Sequence, residues 1–247
     1  MVFSNRDLVF TAKNQQISRM KILHIETSSK NCSVAISDSE KMLCLCEEVS
    51  DNYKQSESLH TFVEWALEGA EISLKALDAV SLGKGPGSYT GLRIGAASAK
   101  GFCYGLKLPL IAVNSLKSMI DDFVNQDFDY IIPLIDARRM EVYTAIFDGK
   151  SGEMISETEA KILDNYSFSE YTDKKVIFIG DGAKKAKEIL QLDNAVFDEN
   201  IFPSAKGLIK RSVEKFHKKE FENTAYFEPF YLKDFQGIKK SERIKKS

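Results

Sequence analysis

The segment from Gly83 to Gly101, GKGPGSYTGLRIGAASAKG, combines residue types and spacings that suit the binding of an anion. Its glycines lie just before a predicted helix, so backbone N–H groups and the positive end of the helix dipole would point out of the loop. Arg93, in the first helical turn, is unfavourably placed against that dipole and is expected to have an acidic or phosphate partner. The candidate anion or nucleotide ligands are Thr27, Ser28, Gly85, Gly87, Ser88, Thr90 and Arg93.

The loop departs from the common nucleotide and nucleophile motifs. No Gly-Lys-Ser/Thr follows four free positions after a glycine, so it is not a P-loop, and it is not a G-x-S-x-G elbow. A tight strand-to-helix turn that binds no ligand is therefore the alternative interpretation.

A second charged group follows a predicted strand in the second half of the chain. Asp136, Arg138, Arg139 and Glu141 lie together there, and Asp181 lies between two glycines. A general-acid or anion-binding role is conceivable, but no nucleophile lies nearby, so an ion-paired turn is favoured. Asp181 is either a relic of a phosphate loop or a turn residue chosen for its backbone hydrogen bonds.

The histidines and cysteines do not form a metal-binding pattern. The chain has no His-x-x-x-His and no Cys-x-x-Cys; its candidates are His24, His60, His217, Cys32, Cys44, Cys46 and Cys103. Structural zinc sites use clustered cysteines and histidines, so we expect no metal site. The cysteines are predicted to be buried or strand-face thiols in a reducing cytoplasm.

Composition indicates an ordinary globular protein without a membrane segment. The 247 residues are 43% hydrophobic and 28% charged, with a net charge of −2, so any RNA contact would need a local patch or a partner. Residues 1–19 lack the apolar run of a signal peptide and are predicted to be a disordered extension or a mis-called start. Residues 233–247 form a basic tail, predicted to be mobile; an RNA-contacting tail is the alternative.

The order of predicted elements repeats once along the chain. Each half reads β-β-β-α-β-α, which predicts an α/β, duplicated actin-like (ribonuclease-H-like) fold of two lobes that meet at a cleft. The lobes are predicted at residues 20–127 and 128–232.

Two predicted helices of the first lobe carry distinctive faces. One has an apolar stripe, and the one after the glycine loop has a face of small residues that can approach another backbone within the lobe or across a subunit interface. The candidate interface residues are Leu59, Phe62, Val63, Ala66, Gly91, Gly95, Ser98, Ala99 and Phe102.

Five motifs in order resemble the bacterial TsaB (YeaZ) family over about residues 20–235: ILHIETSSKNCSVAI, GPGSYTGLRIG, IDARRMEVY, GDGA and PFYLK. The resemblance implies an actin-like two-lobed fold and a part in threonylcarbamoyl transfer to the adenosine beside the anticodon of tRNA. It implies a non-catalytic, cytoplasmic paralogue that dimerises through its first-lobe helices with the catalytic subunit TsaD, or with itself when alone. A TsaE-like ATPase is a further expected partner, tRNA is expected to be met indirectly, and ATP only at the interface of the complex.

The sequence departs from the family pattern at two places. Glu26 stands where the family usually has Asp, and Gln55-Ser56 where many members have His-Ser. The longer carboxylate changes any inherited phosphate geometry. A stand-alone ATP-binding kinase or acyltransferase of the actin-like class, with Glu26 and Thr27 around the phosphates, is the alternative function.

Overall fold

A computed structural model describes residues 19–50 and 55–233. Apart from Arg19 and Lys233, the predicted extension and the predicted basic tail lie outside the described residues, and so do the side chains of Gln55 and Ser56.

The first lobe is built on a five-stranded sheet of order β3-β2-β1-β4-β5. Three strands form an antiparallel meander, and two more add in parallel beside β1. Parallel neighbours need a crossover, and the helices supply it. The elements are β1 (Lys21–Glu26), β2 (Asn31–Asp38), β3 (Lys41–Val49), α1 (Gln55–Gly69), β4 (Ala79–Gly83), α2 (Tyr89–Leu106) and β5 (Leu110–Val113).

The second lobe repeats this topology with the order β11-β10-β6-β7-β9. Its first strands are again antiparallel and its last two again parallel, so the predicted duplicated, actin-like α/β fold is confirmed. The elements are β6 (Tyr130–Asp136), β7 (Glu141–Thr144), β8 (Phe147–Asp148), β9 (Glu159–Ile162), β10 (Val176–Ile179), α3 (Ala183–Ile189) and β11 (Ala195–Asp198).

Helix α4 (Ile209–His217) returns to the first lobe. Alternate residues of a strand face opposite sides of a sheet, so α1 and α2 cover one face of the first sheet and leave the other open. Leu208 and Val213 pack on that second face against Ile22 and Ile111. The division near residue 127 therefore separates the two sheets, but the predicted second lobe at 128–232 also contains the helix that completes the first.

Several boundaries differ from the sequence prediction. The helix predicted to open at Ser115 is a 3₁₀ helix, Ser115–Met119, begun by the Asn114 side chain, which accepts a bond from the Leu116 N–H. The strand predicted over residues 154–163 is reduced to β9, and β11 was not predicted, since only four residues with acidic flanks mark it. No helix among the described residues is long and apolar enough to cross a membrane.

Candidate functional site

The glycine loop, residues 83–91, lies directly against the turn that follows β1. The Ser88 N–H donates to the Ser28 carbonyl at 2.6 Å, and the Thr27 hydroxyl donates to the Gly91 carbonyl at 2.8 Å. The Ser88 hydroxyl accepts from the Gly91 N–H at 3.3 Å and caps α2. The Gly85 N–H donates to the Ser115 hydroxyl at 3.1 Å. Of the residues that the sequence assigned to an anion, Thr27, Gly85 and Ser88 are thus bonded within the protein.

The glycines are required by close packing. A Cβ at Gly87 would lie 2.2 Å from the Ser28 carbonyl oxygen, and one at Gly91 would lie 2.0 Å from the Thr27 carbonyl oxygen. Neither backbone atom can move as a flexible side chain would. Of the two interpretations left open by the sequence, the geometry favours a turn that is filled by its own chain.

Glu26 ends β1 underneath the loop and is fully buried. Its Oε1 accepts the Ser28 N–H at 2.8 Å, and its other carboxyl oxygen lies only 1.9 Å from where a Cβ of Gly83 would be. Burial raises the pKa of this carboxyl, while bonds from Ser28 act in the opposite direction. The longer side chain therefore fills the interior beneath the loop.

The segment 229–233 covers the outer side of the loop; we call it the C-terminal strap. The Phe230 N–H donates to the Lys84 carbonyl at 2.7 Å. The Tyr231 and Tyr89 rings lie 4.8 Å apart, and the Arg93 guanidinium lies 5.6 Å from the Tyr89 ring centre. Within the described residues Arg93 thus lies against an aromatic ring, and its expected acidic or phosphate partner stays a prediction.

The charged group of the second lobe forms an ion-paired turn, as favoured from the sequence. Asp136 Oδ1 accepts from Lys185 Nζ at 2.6 Å and from the Arg138 N–H at 2.7 Å. Lys185 also donates to the carbonyls of Arg139 and Glu141, at 2.7 and 2.9 Å. Sequence reasoning missed Lys185, because nothing in its pattern links it to a turn 46 residues earlier.

Asp181 supports the same turn from below. Its Oδ1 accepts the Asp136 N–H at 2.8 Å, which is the backbone role allowed for it by the sequence. Burial raises the pKa of Asp181, and the neighbouring charge of Asp136 adds to that rise. Asp136, Arg138, Glu141 and Asp181 are therefore brought together, in an arrangement that fixes the turn.

Most of the predicted interface residues lie in the core of their own lobe. The buried members are Leu59, Phe62, Val63, Ala66, Gly91, Gly95 and Ala99. Their faces pack on the first sheet: a Cβ at Gly95 would lie 2.4 Å from the Thr27 hydroxyl. This corrects the assignment for these seven residues, because a packed face cannot also meet a partner. Ser98 and Phe102 are half-buried and reach the surface.

The opposite sides of α1 and α2 form an exposed surface, which we call the outer helix surface: His60, Trp65, Ala97, Gly101 and Tyr104. Trp65 is 55% and Tyr104 87% exposed. His60 Nε2 lies 3.4 Å from the Ser98 hydroxyl, and its ring centre lies 6.0 Å from that of Phe102, so the helices are side by side. Sequence reasoning considered only the apolar stripe and therefore missed Trp65 and Tyr104. Their position outside that stripe was the signal that could have identified them as exposed aromatic residues.

Comparison with known proteins places this geometry in a family. The family model described as TsaD, tRNA N6-adenosine threonylcarbamoyltransferase, matches residues 47–236. The chain belongs to the TsaD family. TsaB of Bacillus subtilis (strain 168) is 29% identical over 178 residues, which cover 70% of this chain and 76% of that protein.

Two further comparisons place the chain with the TsaB (YeaZ) members of the TsaD family, as the motifs predicted. TsaB of Escherichia coli (strain K12) is 26% identical over 228 residues, covering 90% of this chain and 98% of that protein. The solved structure of YeaZ from Pseudomonas aeruginosa superposes with a TM-score of 0.71 at 25% identity, covering 86% of this chain and all of that one.

Within this TsaB-like fold, the residues that could hold a metal are scattered. No group of three or more His, Cys, Asp or Glu side chains is close enough to hold an ion in the part of the chain that the structure describes. Burial raises the pKa of Cys32 and of Cys103 to about 12, so both are inert thiols, whereas Cys44 and Cys46 on β3 are half-buried.

Proposed function

We propose that this chain is the accessory subunit of a complex that transfers threonylcarbamoyl to the adenosine beside the anticodon of tRNA. In this role it scaffolds a TsaD-like catalytic subunit. Its relatives from Bacillus subtilis and Escherichia coli are named tRNA threonylcarbamoyladenosine biosynthesis protein TsaB. The observation that carries the proposal is the filled glycine loop, where the Ser88 N–H donates to the Ser28 carbonyl at 2.6 Å and is therefore not free to bind a phosphate.

The filled loop separates this proposal from the alternative of a stand-alone ATP-binding kinase or acyltransferase. Such an enzyme binds phosphates through unpaired N–H groups and a helix N-terminus. Here Ser88 and Gly91 donate to the protein itself, and the Glu26 carboxyl lies buried beneath the loop. ATP would therefore bind at an interface of the complex, not in this chain alone.

The outer helix surface is the proposed contact with the catalytic subunit. Exposed aromatic side chains are typical of interface anchors, and Trp65 and Tyr104 supply two of them. On α2 itself, Ala97 and Gly101 are small and exposed, so a partner helix could approach α2 closely. The same surface would form a homodimer when the chain is alone, and a TsaE-like ATPase would join the assembled pair.

Co-expression with the TsaD-like subunit of the same organism tests the proposal. Size-exclusion chromatography with light scattering should show a stable complex of the wild-type chain. Gly101→Arg should abolish it while leaving the fold intact, because a Cβ at Gly101 meets no atom within 4 Å. Glu214→Arg, at another exposed helical position on α4, is the control and should not weaken the complex.

Two results would contradict the proposal in different ways. A complex that forms as well with Gly101→Arg and Trp65→Ala as with the wild type would show that the interface lies elsewhere. Micromolar binding of ATP and magnesium by the isolated chain, with turnover, would favour the enzyme alternative; isothermal titration measures the binding.

A further inference from the structure

Two adjacent arginines form the exposed tip of the turn between β6 and β7. Arg138 and Arg139 have φ angles of 70° and 52°, in the left-handed region that bulky side chains seldom adopt. Among the residues that the structure describes, neither guanidinium takes part in a hydrogen bond or an ion pair. The turn thus exposes two cationic groups that take no part in its own hydrogen bonds or ion pairs.

The carboxylates beside these arginines already have other partners. Asp136 is paired with Lys185 Nζ at 2.6 Å, and Glu141 is paired with Lys233. Because each of these two carboxylates is matched by its own lysine, neither is left to pair with an arginine.

Helix α3 adds to the positive charge. Lys185 reaches from α3 to the Arg139 carbonyl at 2.7 Å, so the helix lies beside the tip of the turn. Lys184, next to Lys185 in the chain, is exposed and forms no ion pair with a residue in the described ranges, whereas Lys187 lies two residues beyond Lys185, on the other side of the helix. We call Arg138 and Arg139 the basic surface.

We propose that the basic surface binds the phosphate backbone of RNA, namely the tRNA of the complex proposed above, on which this inference rests. Guanidinium groups bind phosphate through two parallel N–H bonds, and lysines add point charges. The net charge of −2 offers no general attraction for RNA, so a contact needs a local concentration of unpaired cations such as this one. A protein partner is the competing occupant, because arginine is also enriched at protein interfaces, and the experiment below distinguishes the two.

The experiment measures tRNA affinity of the purified complex as a function of salt. Replacing both arginines with glutamine should weaken binding several-fold and reduce the slope of log K against log salt by about 2, near 0.9 for each lost phosphate contact. Arg138→Lys with Arg139→Lys keeps the charge and should keep the slope. Lys41→Gln with Lys210→Gln removes the same charge from exposed positions on β3 of the first sheet and on α4, the helix packed on that sheet, and should leave the slope unchanged.

The outcomes separate this inference from the proposed function. A double glutamine variant that assembles, supports threonylcarbamoyl transfer at saturating tRNA and retains the wild-type salt slope would overturn the RNA contact and leave the proposed function standing. Loss of assembly in that variant, with circular dichroism unchanged, would identify a protein contact instead. If the wild-type complex fails to form, ultraviolet cross-linking of the isolated chain to tRNA still decides: adducts within residues 137–141 support the surface, and adducts confined elsewhere overturn it.

Discussion

The two lobes place the same topological feature in opposite environments. In the first lobe, the turn after β1 is buried: Thr27, Ser28 and Ser29 are all covered, and the carboxylate before them is fully enclosed. In the second lobe, the turn after β6 is open, with Asp136 and both arginines exposed. The turn after the first strand is thus part of the core in the first lobe, whereas the equivalent turn of the second lobe is accessible to solvent.

The loops opposite the two turns explain the difference. In the first lobe, the nine-residue stretch 83–91 reaches beyond the end of β1 and bonds Thr27 and Ser28. In the second lobe, the equivalent loop is only Gly180-Asp181-Gly182, and its Gly182 N–H donates to the Leu134 carbonyl at 2.9 Å, inside β6. A short loop packs beneath the strand and leaves the turn uncovered. Loop length therefore decides whether the turn serves packing or remains available for binding.

The largest effect is expected where α2 is packed on the buried turn. Gly95→Leu forces a side chain into space where its Cβ would lie 2.4 Å from the Thr27 hydroxyl and 3.1 Å from Leu82. Overpacking of this kind should lower the free energy of unfolding by about 3 kcal/mol. Gly101→Leu, on the open side of the same helix, should raise it by up to about 1 kcal/mol, since glycine is a poor helix former. Urea denaturation measures both, and equal effects would show that α2 does not pack on the turn.

Sequence alone located α2 and its small-residue face, but not which way that face points. The spacing of Gly91, Gly95 and Ala99 correctly placed them on one side of the helix. Whether that side meets a sheet or a second subunit depends on tertiary contacts with Thr27 and Leu82, which lie far away in sequence. Lys185 was missed because its contact with the turn is also distant in sequence. Local patterns predicted an ion-paired turn, but not the helix that supplies its cation.

The fold itself was predictable because its signals are local and repeated. Strand patterns, turn residues and the two-fold repetition of elements indicated both sheets without knowledge of their contacts. Helix α4 was predicted as an element, and it packs on the first sheet although it lies within the residues predicted as the second lobe. Its placement depends on the apolar second face of the first sheet, around Ile22 and Ile111, and strands buried on both faces do not reveal what covers each.

A second expected effect is a pH dependence that arises from the dry interior of the first lobe. His24 is fully buried and bonds the Ser37 hydroxyl at 2.9 Å, and burial lowers its pKa to about 3. Between the ordinary value of 6.5 and about 3 the unfolded chain binds a proton that the folded chain does not. Stability should therefore fall as pH falls through this window, by up to about 1.4 kcal/mol per pH unit. His24→Gln should remove this part of the slope in denaturation at pH 5 to 7; an unchanged slope would contradict the assignment.

Glu26 and Asp136 end the equivalent strands β1 and β6, and removing the charge of each should change stability in opposite directions. The pKa of Glu26 is raised by burial, so its contribution to stability is present at low pH and is lost as pH rises above the unfolded value. Glu26→Gln should thus gain stability relative to the wild type as pH rises. Asp136→Asn removes the partner of Lys185 and should cost about 1 kcal/mol at neutral pH. Thermal unfolding at pH 5, 7 and 9 compares them, and a loss of stability from Glu26→Gln at pH 9 would refute the contrast.

The smallest effect is expected at an ion pair between the C-terminal strap, which covers the loop of the first lobe, and the open turn of the second lobe. Among the described residues, this is the one ion pair that joins the two. Lys233 pairs with Glu141, and their side chains are 32% and 17% exposed. Because both keep some contact with solvent, the pair should contribute about 0.5 kcal/mol. A double-mutant cycle of Lys233→Met and Glu141→Gln measures that coupling free of the other contacts of each side chain. A coupling near zero would mean that the strap holds only the buried turn, and that the open turn moves independently of it.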